Sequence, residues 1–277
     1  MAADDDGFKK GYTPVKAYKN TRFLNSPGAR VLRILSEYLE PDARFREFDI
    51  ADTIVFFGSA RIKPQDWAEA VLEKARADGG DTAAAERDLM MSRYYEAARE
   101  LSRRLTEWSK SLDCEECRFI VCSGGGPGIM EAANRGASEA KGINIGLGIS
   151  LPHEQFNNPH ITRELSFEFH YFFMRKLWFV YLAKAIVVFP GGFGTLDEMF
   201  ESLTLVQTGK IKKHMPIVLF GKDFWEGALN LDVLVDHGTV SPEDLKLLTV
   251  VDDVDTAYNL ITEELEQSLA DGFGPRL

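Results

Sequence analysis

Short apolar runs alternate with helical segments along most of the chain. The first run, TIVFF at residues 53–57, is apolar throughout and predicts a strand that is buried on both faces. Further apolar or extended segments predict strands at residues 118–122, 143–149, 164–169, 185–189 and 216–220. Apolar strands that alternate with helices are typical of βαβ crossovers. The pattern therefore predicts a doubly wound α/β fold, with a Rossmann-like parallel sheet and helices on both faces.

Helical periodicity fills the segments between these strands. Residues 82–111 place apolar side chains at spacings of three and four, with Arg and Glu on the other face, which predicts a long helix lying against a sheet. The same periodicity predicts further helices at residues 64–77, 129–140, 171–183, 196–208, 224–236 and 254–269.

The first fifty residues have a different pattern. Residues 1–25 are polar and show no period, which predicts an arm. A helical pattern begins at Pro27, and Pro41 is expected to end it. We therefore predict two parts: an N-terminal arm and helix over residues 1–50, and a Rossmann-like domain over residues 51–277. The helix could cover its own chain or pack against a second subunit.

Composition narrows the class of protein. The chain has 277 residues, 45% of them hydrophobic, and a formal net charge of −11. A chain of this length can bury a stable core without disulfides or a structural metal. No apolar stretch is long enough for a membrane span, and the acidic N-terminus lacks the apolar segment of a secretion signal, so a cytoplasmic location is expected. The negative charge argues against a nucleic-acid polymer as partner.

A single CxxC motif lies at Cys114 and Cys117. A structural zinc site needs four ligands, and neither a second CxxC nor a pair of histidines stands at a suitable spacing. We interpret the motif as a chance occurrence before a strand and expect no metal site.

Two glycine-rich turns each connect a predicted strand to a predicted helix. They are SGGGPGIME at residues 123–131 and PGGFGTLDE at residues 190–198, and a third turn, FGSAR, follows the first strand. Ligands of such sheets bind beyond the carboxyl ends of the strands, and a helix start can hold a phosphate. Neither turn matches the dinucleotide or P-loop fingerprint. They predict an anion site of another kind, unless they are only tight turns.

Charged residues beside these turns have two interpretations. Thr195 and Glu198 form T-x-x-E, the pattern of a capping box, but a carboxylate beside a phosphate loop could also act on the sugar of a nucleotide. Arg175 and Lys176 are adjacent cations early in an otherwise apolar helix. Since burying an unpaired charge is costly, they need water or an anion, which a phosphate or Glu198 could supply.

The combined motifs resemble one enzyme family. PGGFGTLDE matches the P-G-G-x-G-T-x-x-E signature of the LOG family, cytokinin riboside 5′-monophosphate phosphoribohydrolases that were long mislabelled as lysine decarboxylases. The MRK, GGGPGIME and FGSAR elements also fall where that family has its own motifs, and the chain looks most like the larger bacterial members. The resemblance covers residues 53–223, and the first fifty residues lie outside it.

The resemblance implies a homodimer or higher homo-oligomer that needs no cofactor. It would hydrolyse the N-glycosidic bond of a nucleoside 5′-monophosphate, AMP or a related purine nucleotide, to free base and ribose 5-phosphate. The family's catalytic pair corresponds to Arg175 and Glu198. The positions that match its substrate-contacting elements are Ser59, Gly125, Glu131, Lys176, Gly191, Gly192, Gly194 and Thr195.

Two other classes remain open. A nucleotide-binding or sensing protein could use the same loops without hydrolysis, because fold and loops alone do not establish catalysis. A lysine decarboxylase is the weaker alternative. Its pyridoxal phosphate needs a Schiff-base lysine with a pyridinium partner, and the sequence offers no lysine in a recognisable context for that role.

Overall fold

The computed structural model describes residues 14–112, 118–150 and 158–271 of the chain. Cys114, Cys117 and most of the predicted arm lie outside the described residues, so the expectations for them stay predictions. Within the described ranges no helix combines the length and apolarity that a bilayer span requires.

Seven parallel strands form one sheet. The strands are β1 (Thr53–Phe57), β2 (Ile120–Ser123), β3 (Ile145–Ile149), β4 (Ser166–Phe169), β5 (Ala183–Val188), β6 (Ile217–Phe220) and β7 (Leu248–Val251). They lie in the order β4-β3-β2-β1-β5-β6-β7, and every neighbouring pair is parallel. The strand order reverses direction at β1, between β2 and β5. The crevice at such a switch point is where ligands of open α/β sheets bind.

Ten α-helices accompany the sheet in the described part of the chain. They are α1 (Thr21–Leu24), α2 (Arg30–Glu47), α3 (Gln65–Ala77), α4 (Ala83–Ser111), α5 (Ile129–Glu139), α6 (Phe172–Leu182), α7 (Phe193–Gln207), α8 (Lys222–Ala228), α9 (Asp232–Asp236) and α10 (Val254–Asp271). Apart from the differences described below, the predicted helices and strands are confirmed with small shifts at their ends.

The core lies on both faces of the sheet. Val55 and Phe57 of β1 join a cluster that includes Trp178 of α6. Ile54 and Phe56 of the same strand join a second cluster with residues of α4, α5 and α10. Successive side chains of a strand point to opposite faces, so an apolar run with no alternation is what a sheet covered on both sides requires. The predicted doubly wound α/β fold is confirmed.

The expectation that Pro41 ends the first long helix is wrong. Helix α2 continues to Glu47 with Pro41 inside it. Proline lacks an N–H, so the carbonyl four residues earlier, that of Glu37, loses its helical hydrogen bond. The indole N–H of Trp178 donates to that carbonyl at 3.0 Å, which compensates for the missing bond and lets the helix continue.

Two other helix predictions need correction. Helix α7 begins at Phe193, three residues before the predicted start, and its N-cap is Gly192. The predicted single helix over residues 224–236 is two helices, because Leu229 adopts an extended conformation after α8. Leu229 packs against the core there, and that contact outweighs helical continuity.

The predicted division of the chain at residue 50 stays a prediction. Helix α2 contacts the rest of the molecule closely, since the Phe45 ring lies 5.1 Å from that of Phe167 and 5.2 Å from that of Trp178. The opposite face of α2 is apolar and exposed, as its side chains Val31, Leu32, Leu35 and Leu39 show.

Candidate active site

A cavity of about 910 Å³ lies at the carboxyl ends of β1 to β5, above the switch point. A cavity of this size is typical of a small-molecule site. Its walls come from the turns after β1, β2 and β5, from the ends of β3 and β4, and from helices α6 and α7. The three turns singled out from the sequence therefore meet at one place.

The backbone of Ser59 joins these turns. Its N–H donates to the carbonyl of Pro190 at 3.0 Å, and its own carbonyl accepts the N–H of Ile129 at 3.1 Å. Its hydroxyl accepts the N–H of Arg61 at 3.1 Å. Ser59 lines the cavity and its backbone bonds connect the turns after β1, β2 and β5.

The first turn of α7 faces the cavity through Gly192, Gly194 and Thr195. The early N–H groups of a helix have no acceptor within the helix, and this end carries partial positive charge. Gly191 lies behind this turn, where an added Cβ would come 2.1 Å from the Thr195 hydroxyl. Only glycine permits that close approach. The loop thus has the local geometry of an anion site.

The capping-box interpretation of Thr195 and Glu198 is wrong. Thr195 is the third residue of α7, since the helix starts at Phe193, and the N-cap Gly192 makes no side-chain capping bond. Glu198 therefore lies in the second turn, with 9% of its surface exposed. A buried carboxylate without a capping role needs another explanation.

The turn after β2 is supported by a buried polar network. The N–H of Gly125 donates to the Ser123 hydroxyl at 3.1 Å, and that hydroxyl donates to Asn134 at 2.6 Å. The same Asn134 oxygen accepts the amide of Asn158, a residue of the cavity wall, at 3.0 Å. The two side-chain bonds are buried and the Gly125 bond is partly buried, so the network holds the glycine turn in one position.

Arg175 is anchored at the centre of the cavity wall. Its Nε donates to the carbonyl of Leu147 at 2.6 Å and its Nη2 to that of Gly124 at 3.3 Å. An added Cβ on Gly124 would lie 2.5 Å from Nη2, so the glycine makes room for the guanidinium. Nη1 lies 3.8 Å from Oε1 of Glu198.

Glu198 has an unusual protonation equilibrium. Burial raises its pKa to about 7, although the nearby charges of Arg175 and Lys176 act in the opposite direction. The carboxyl group therefore exchanges its proton near neutral pH. Groups with such a pKa are suited to proton transfer or to the stabilisation of developing positive charge.

Lys176 and Glu131 are bonded elsewhere. Nζ of Lys176 lies 2.8 Å from Asp197 and 2.6 Å from Glu201. Glu131 accepts the hydroxyl of Tyr95 at 2.9 Å. Of the predicted site residues, the cavity wall brings together Ser59, Gly125, Arg175, Gly192, Gly194, Thr195 and Glu198. Those outside the wall are Glu131, Lys176 and Gly191.

Sequence reasoning missed part of the far wall. Glu168, near the end of β4, lines the cavity and accepts the Ser150 hydroxyl at 2.8 Å. The alternating SFEF pattern of β4 could have shown that Glu168 lies off the core face. Phe172 and Phe193 also line the cavity, with 51% and 91% of their surfaces exposed. Exposed aromatic rings at a cavity offer stacking surfaces for a planar ligand.

Comparison with known proteins places this site in a matched region. Residues 130–261, which include Arg175 and Glu198, match the protein family described as "Possible lysine decarboxylase". Over 155 residues the chain is 29% identical to cytokinin riboside 5′-monophosphate phosphoribohydrolase LOG7 of Arabidopsis thaliana, covering 54% of this chain and 64% of that protein. Over 82 residues it is 40% identical to the cytokinin riboside 5′-monophosphate phosphoribohydrolase of Mycobacterium tuberculosis, covering 27% of this chain and 40% of that protein.

The chain thus spans less than two thirds of the length of these two relatives. Among solved structures, it is similar to the molybdenum cofactor carrier protein from Chlamydomonas reinhardtii, with a TM-score of 0.46 and 17% identity. That likeness covers 78% of this chain and 99% of the carrier protein.

Proposed function

We propose, because this chain belongs to the LOG family, that it hydrolyses the N-glycosidic bond of a nucleoside 5′-monophosphate to free base and ribose 5-phosphate. The observation that carries the proposal is the buried pair of Arg175 and Glu198, 3.8 Å apart in a cavity between two glycine turns. A nucleotide hydrolase needs a phosphate site beside a carboxylate, and this cavity combines both features.

The phosphate would bind at the start of α7. Gly192 and Gly194 line the cavity there and carry no side chain that would keep an anion away from the backbone N–H groups. Gly125 lines the cavity from the turn after β2. Two turns around one phosphate would fix the ribose at a set distance from Glu198, which supports positioning as one source of rate enhancement.

The chemistry would be carried by Glu198. As the bond from C1′ to the base nitrogen breaks, its electron pair leaves with the base and C1′ gains oxocarbenium character. The Glu198 carboxylate would stabilise that charge and take a proton from the attacking water, whose oxygen bonds to C1′. The proton then passes to the departing base, so charge and atoms balance.

Arg175 would orient the carboxylate and the ribose. Two of its N–H groups are already used on the carbonyls of Leu147 and Gly124, which holds the guanidinium plane in place. Its Nη1 faces Glu198. A planar, always charged guanidinium can hold oxyanions in a fixed geometry, which a flexible ammonium group does less well.

The far wall would select the base. Glu168 is a carboxylate, which when ionised only accepts hydrogen bonds, so it favours a base that presents N–H donors. Phe172 offers a stacking face on the same side. The amino group of adenine could donate to Glu168, and its purine ring could stack on Phe172. These contacts support AMP or a related amino purine nucleotide as substrate.

A decarboxylase function has less support. Chemistry based on pyridoxal phosphate requires a lysine that can form a Schiff base with the cofactor. Among the described residues that line the cavity, none is a lysine. Lys176, which follows the cavity residue Arg175 in sequence, is paired with Asp197 and Glu201.

The proposal is tested by measuring base and ribose 5-phosphate released from AMP, GMP, IMP, CMP and UMP, with binding measured separately. We expect release from AMP, and we expect Glu198→Gln to lower it by about 10²- to 10⁴-fold while nucleotide binding is kept. Tight binding of the nucleotides without release from any of them would overturn hydrolysis and indicate a nucleotide sensor. Equal release from AMP and from purine riboside 5′-monophosphate, whose base carries no N–H donor, would overturn the role of Glu168.

A further inference from the structure

Helix α2, outside the region of family resemblance, contacts the helix that carries Arg175. The Glu37 carboxylate accepts two backbone N–H groups at the start of α6, that of His170 at 2.9 Å and that of Tyr171 at 3.2 Å. Tyr171 is the N-cap residue of α6, and no side-chain capping bond is made by it. Glu37 therefore caps α6 from another helix.

This cap is electrostatically favourable. The N–H of an N-cap residue is one of the donors that a helix leaves without an internal partner. A carboxylate at this end also interacts favourably with the partial positive charge of the helix. Glu37 supplies both effects with one side chain.

The cap lies one helical turn from the catalytic pair. The carbonyl of Tyr171 accepts the backbone N–H of Arg175 at 3.2 Å. Tyr171 is thus held on its N–H side by Glu37 and receives the Arg175 amide on its carbonyl side. A shift of Tyr171 would move Arg175 relative to Glu198, and their contact of 3.8 Å leaves little tolerance.

A second bond from the same residue holds α6 beyond Arg175. The carbonyl of Glu37, free because of Pro41, accepts the indole N–H of Trp178 at 3.0 Å. The ring of Tyr38 stacks on Trp178 with centroids 5.6 Å apart. Helix α2 thus contacts α6 on both sides of Arg175. Besides burying apolar surface, α2 therefore fixes the position of α6.

Helix α2 also holds the strand that carries Glu168. Nη1 of Arg44 donates to the backbone carbonyls of Glu164 at 2.9 Å and Ser166 at 3.1 Å. Its guanidinium lies 3.9 Å from the centre of the Phe167 ring. The same helix therefore sets the edge of β4 and the start of α6, two neighbouring parts of the cavity wall.

We propose that Glu37 is a positioning residue for the hydrolysis, acting through Tyr171 and helix α6 on Arg175. The proposal rests on the proposed function for its effect on rate, whereas the capping contact itself is independent of the reaction. It assigns the N-terminal helix a role in the active site that its position outside the matched region does not indicate.

The test compares Glu37→Ala and Glu37→Gln with Glu47→Ala in the full chain. Glu47 is an exposed glutamate at the end of the same helix and is the matched control. In Glu37→Ala we expect kcat for AMP to fall by about five- to tenfold, because a displaced Arg175 no longer orients Glu198, with KM changed less than about twofold because the α7 turn is untouched. Glu37→Gln keeps an acceptor oxygen and should lose less.

Two further readouts separate positioning from general destabilisation. Since Arg175 lowers the pKa of Glu198, its displacement in Glu37→Ala should move the acidic limb of the rate profile to higher pH, which a loss of folded protein cannot do. Backbone hydrogen exchange should become faster at residues 170–175 in Glu37→Ala and stay unchanged in Glu47→Ala.

The outcomes distinguish the two proposals. If Glu37→Ala keeps the wild-type kcat and pH profile, or if Glu47→Ala loses as much, the positioning role is wrong. If Glu37→Ala fails to fold, the same criteria apply to Glu37→Gln. If the wild type releases no base, the proposed function fails, and exchange at residues 170–175 still decides whether Glu37 caps α6: unchanged protection overturns it.

Discussion

Two neighbouring cations of α6, Arg175 and Lys176, contact carboxylates of α7, and their contacts differ in length and in the exposure of the carboxylates. Lys176 lies 2.8 Å from Asp197 and 2.6 Å from Glu201, whose side chains are 58% and 37% exposed. Arg175, the preceding residue, lies 3.8 Å from Glu198, and both side chains are almost buried, at 12% and 11% exposed. The two neighbouring cations are similarly buried, at 12% and 17% exposed, but they differ in the distance to their carboxylate partners and in the exposure of those partners.

This difference indicates that the contacts of Lys176 are structural and that the Arg175–Glu198 pair is available for chemistry. Lys176, with only 17% of its side chain exposed, has two close carboxylate partners outside the cavity wall, so it links the two helices and is already paired without a ligand. The Arg175–Glu198 contact is longer than a hydrogen bond, is mostly buried and faces the cavity. A substrate oxygen or a water molecule could bridge it.

Removing each cation in turn tests the different roles of Arg175 and Lys176 and gives the largest expected effect. We expect Arg175→Ala to lower kcat/KM for AMP by about 10²-fold or more, because an oriented charge beside Glu198 is lost. Lys176→Ala should change kcat/KM by less than about threefold, since Lys176 lies outside the cavity wall and is paired with Asp197 and Glu201. Steady-state kinetics checks both variants, and equal losses would contradict the division into structural and reactive pairs.

The pH dependence of kcat/KM tests the role of Glu198. Burial raises the pKa of Glu198 to about 7, and the proposed reaction uses the carboxylate form. We therefore expect kcat/KM to fall about tenfold for each pH unit below 7 and to level off above it.

Removing Lys176 should shift this midpoint upward, because that cation lowers the pKa of Glu198. A rate profile that is flat between pH 5 and 8 would contradict the assignment of Glu198.

The smallest expected effect concerns stability. Because the folded protein holds the Glu198 proton more tightly than the unfolded chain, the free energy of unfolding falls as pH rises from about 4.5 to about 7. Glu198→Gln removes this penalty. It should therefore be more stable than wild type at pH 8, by at most about 3 kcal/mol, and equally stable at pH 4.

Denaturant unfolding at both pH values measures this difference. The matched control is Glu201→Gln, one turn further along α7, which loses a surface ion pair and should be slightly less stable than wild type at pH 8. A Glu198→Gln variant that is less stable at pH 8 would mean that Glu198 serves the fold.

Local patterns were reliable where the structure they indicate is itself local. The run at residues 53–57 is β1, and the glycine turns at residues 123–131 and 190–198 both reach the cavity. The predictions that failed concern helix ends. Pro41 is a usual helix stop and Thr195 is a usual cap residue. The bond from the Trp178 indole lets α2 continue past Pro41, and α7 already starts at Phe193, before Thr195.

The amino-acid sequence alone predicted the α/β class and the two glycine turns, and it indicated Arg175 and Glu198 as candidate site residues. The fold class and the turns follow from periodicity and turn chemistry, which depend on residues a few positions apart, whereas the choice of Arg175 and Glu198 as a pair rests on the family resemblance. The packing of distant segments is what places Arg175 in the cavity wall, pairs Lys176 with Asp197 and Glu201 outside it, and brings Glu37 to the start of α6. Glu37 and Tyr171 are separated by 134 positions. Burial, pKa and capping at such a site arise from chain segments that only folding brings together.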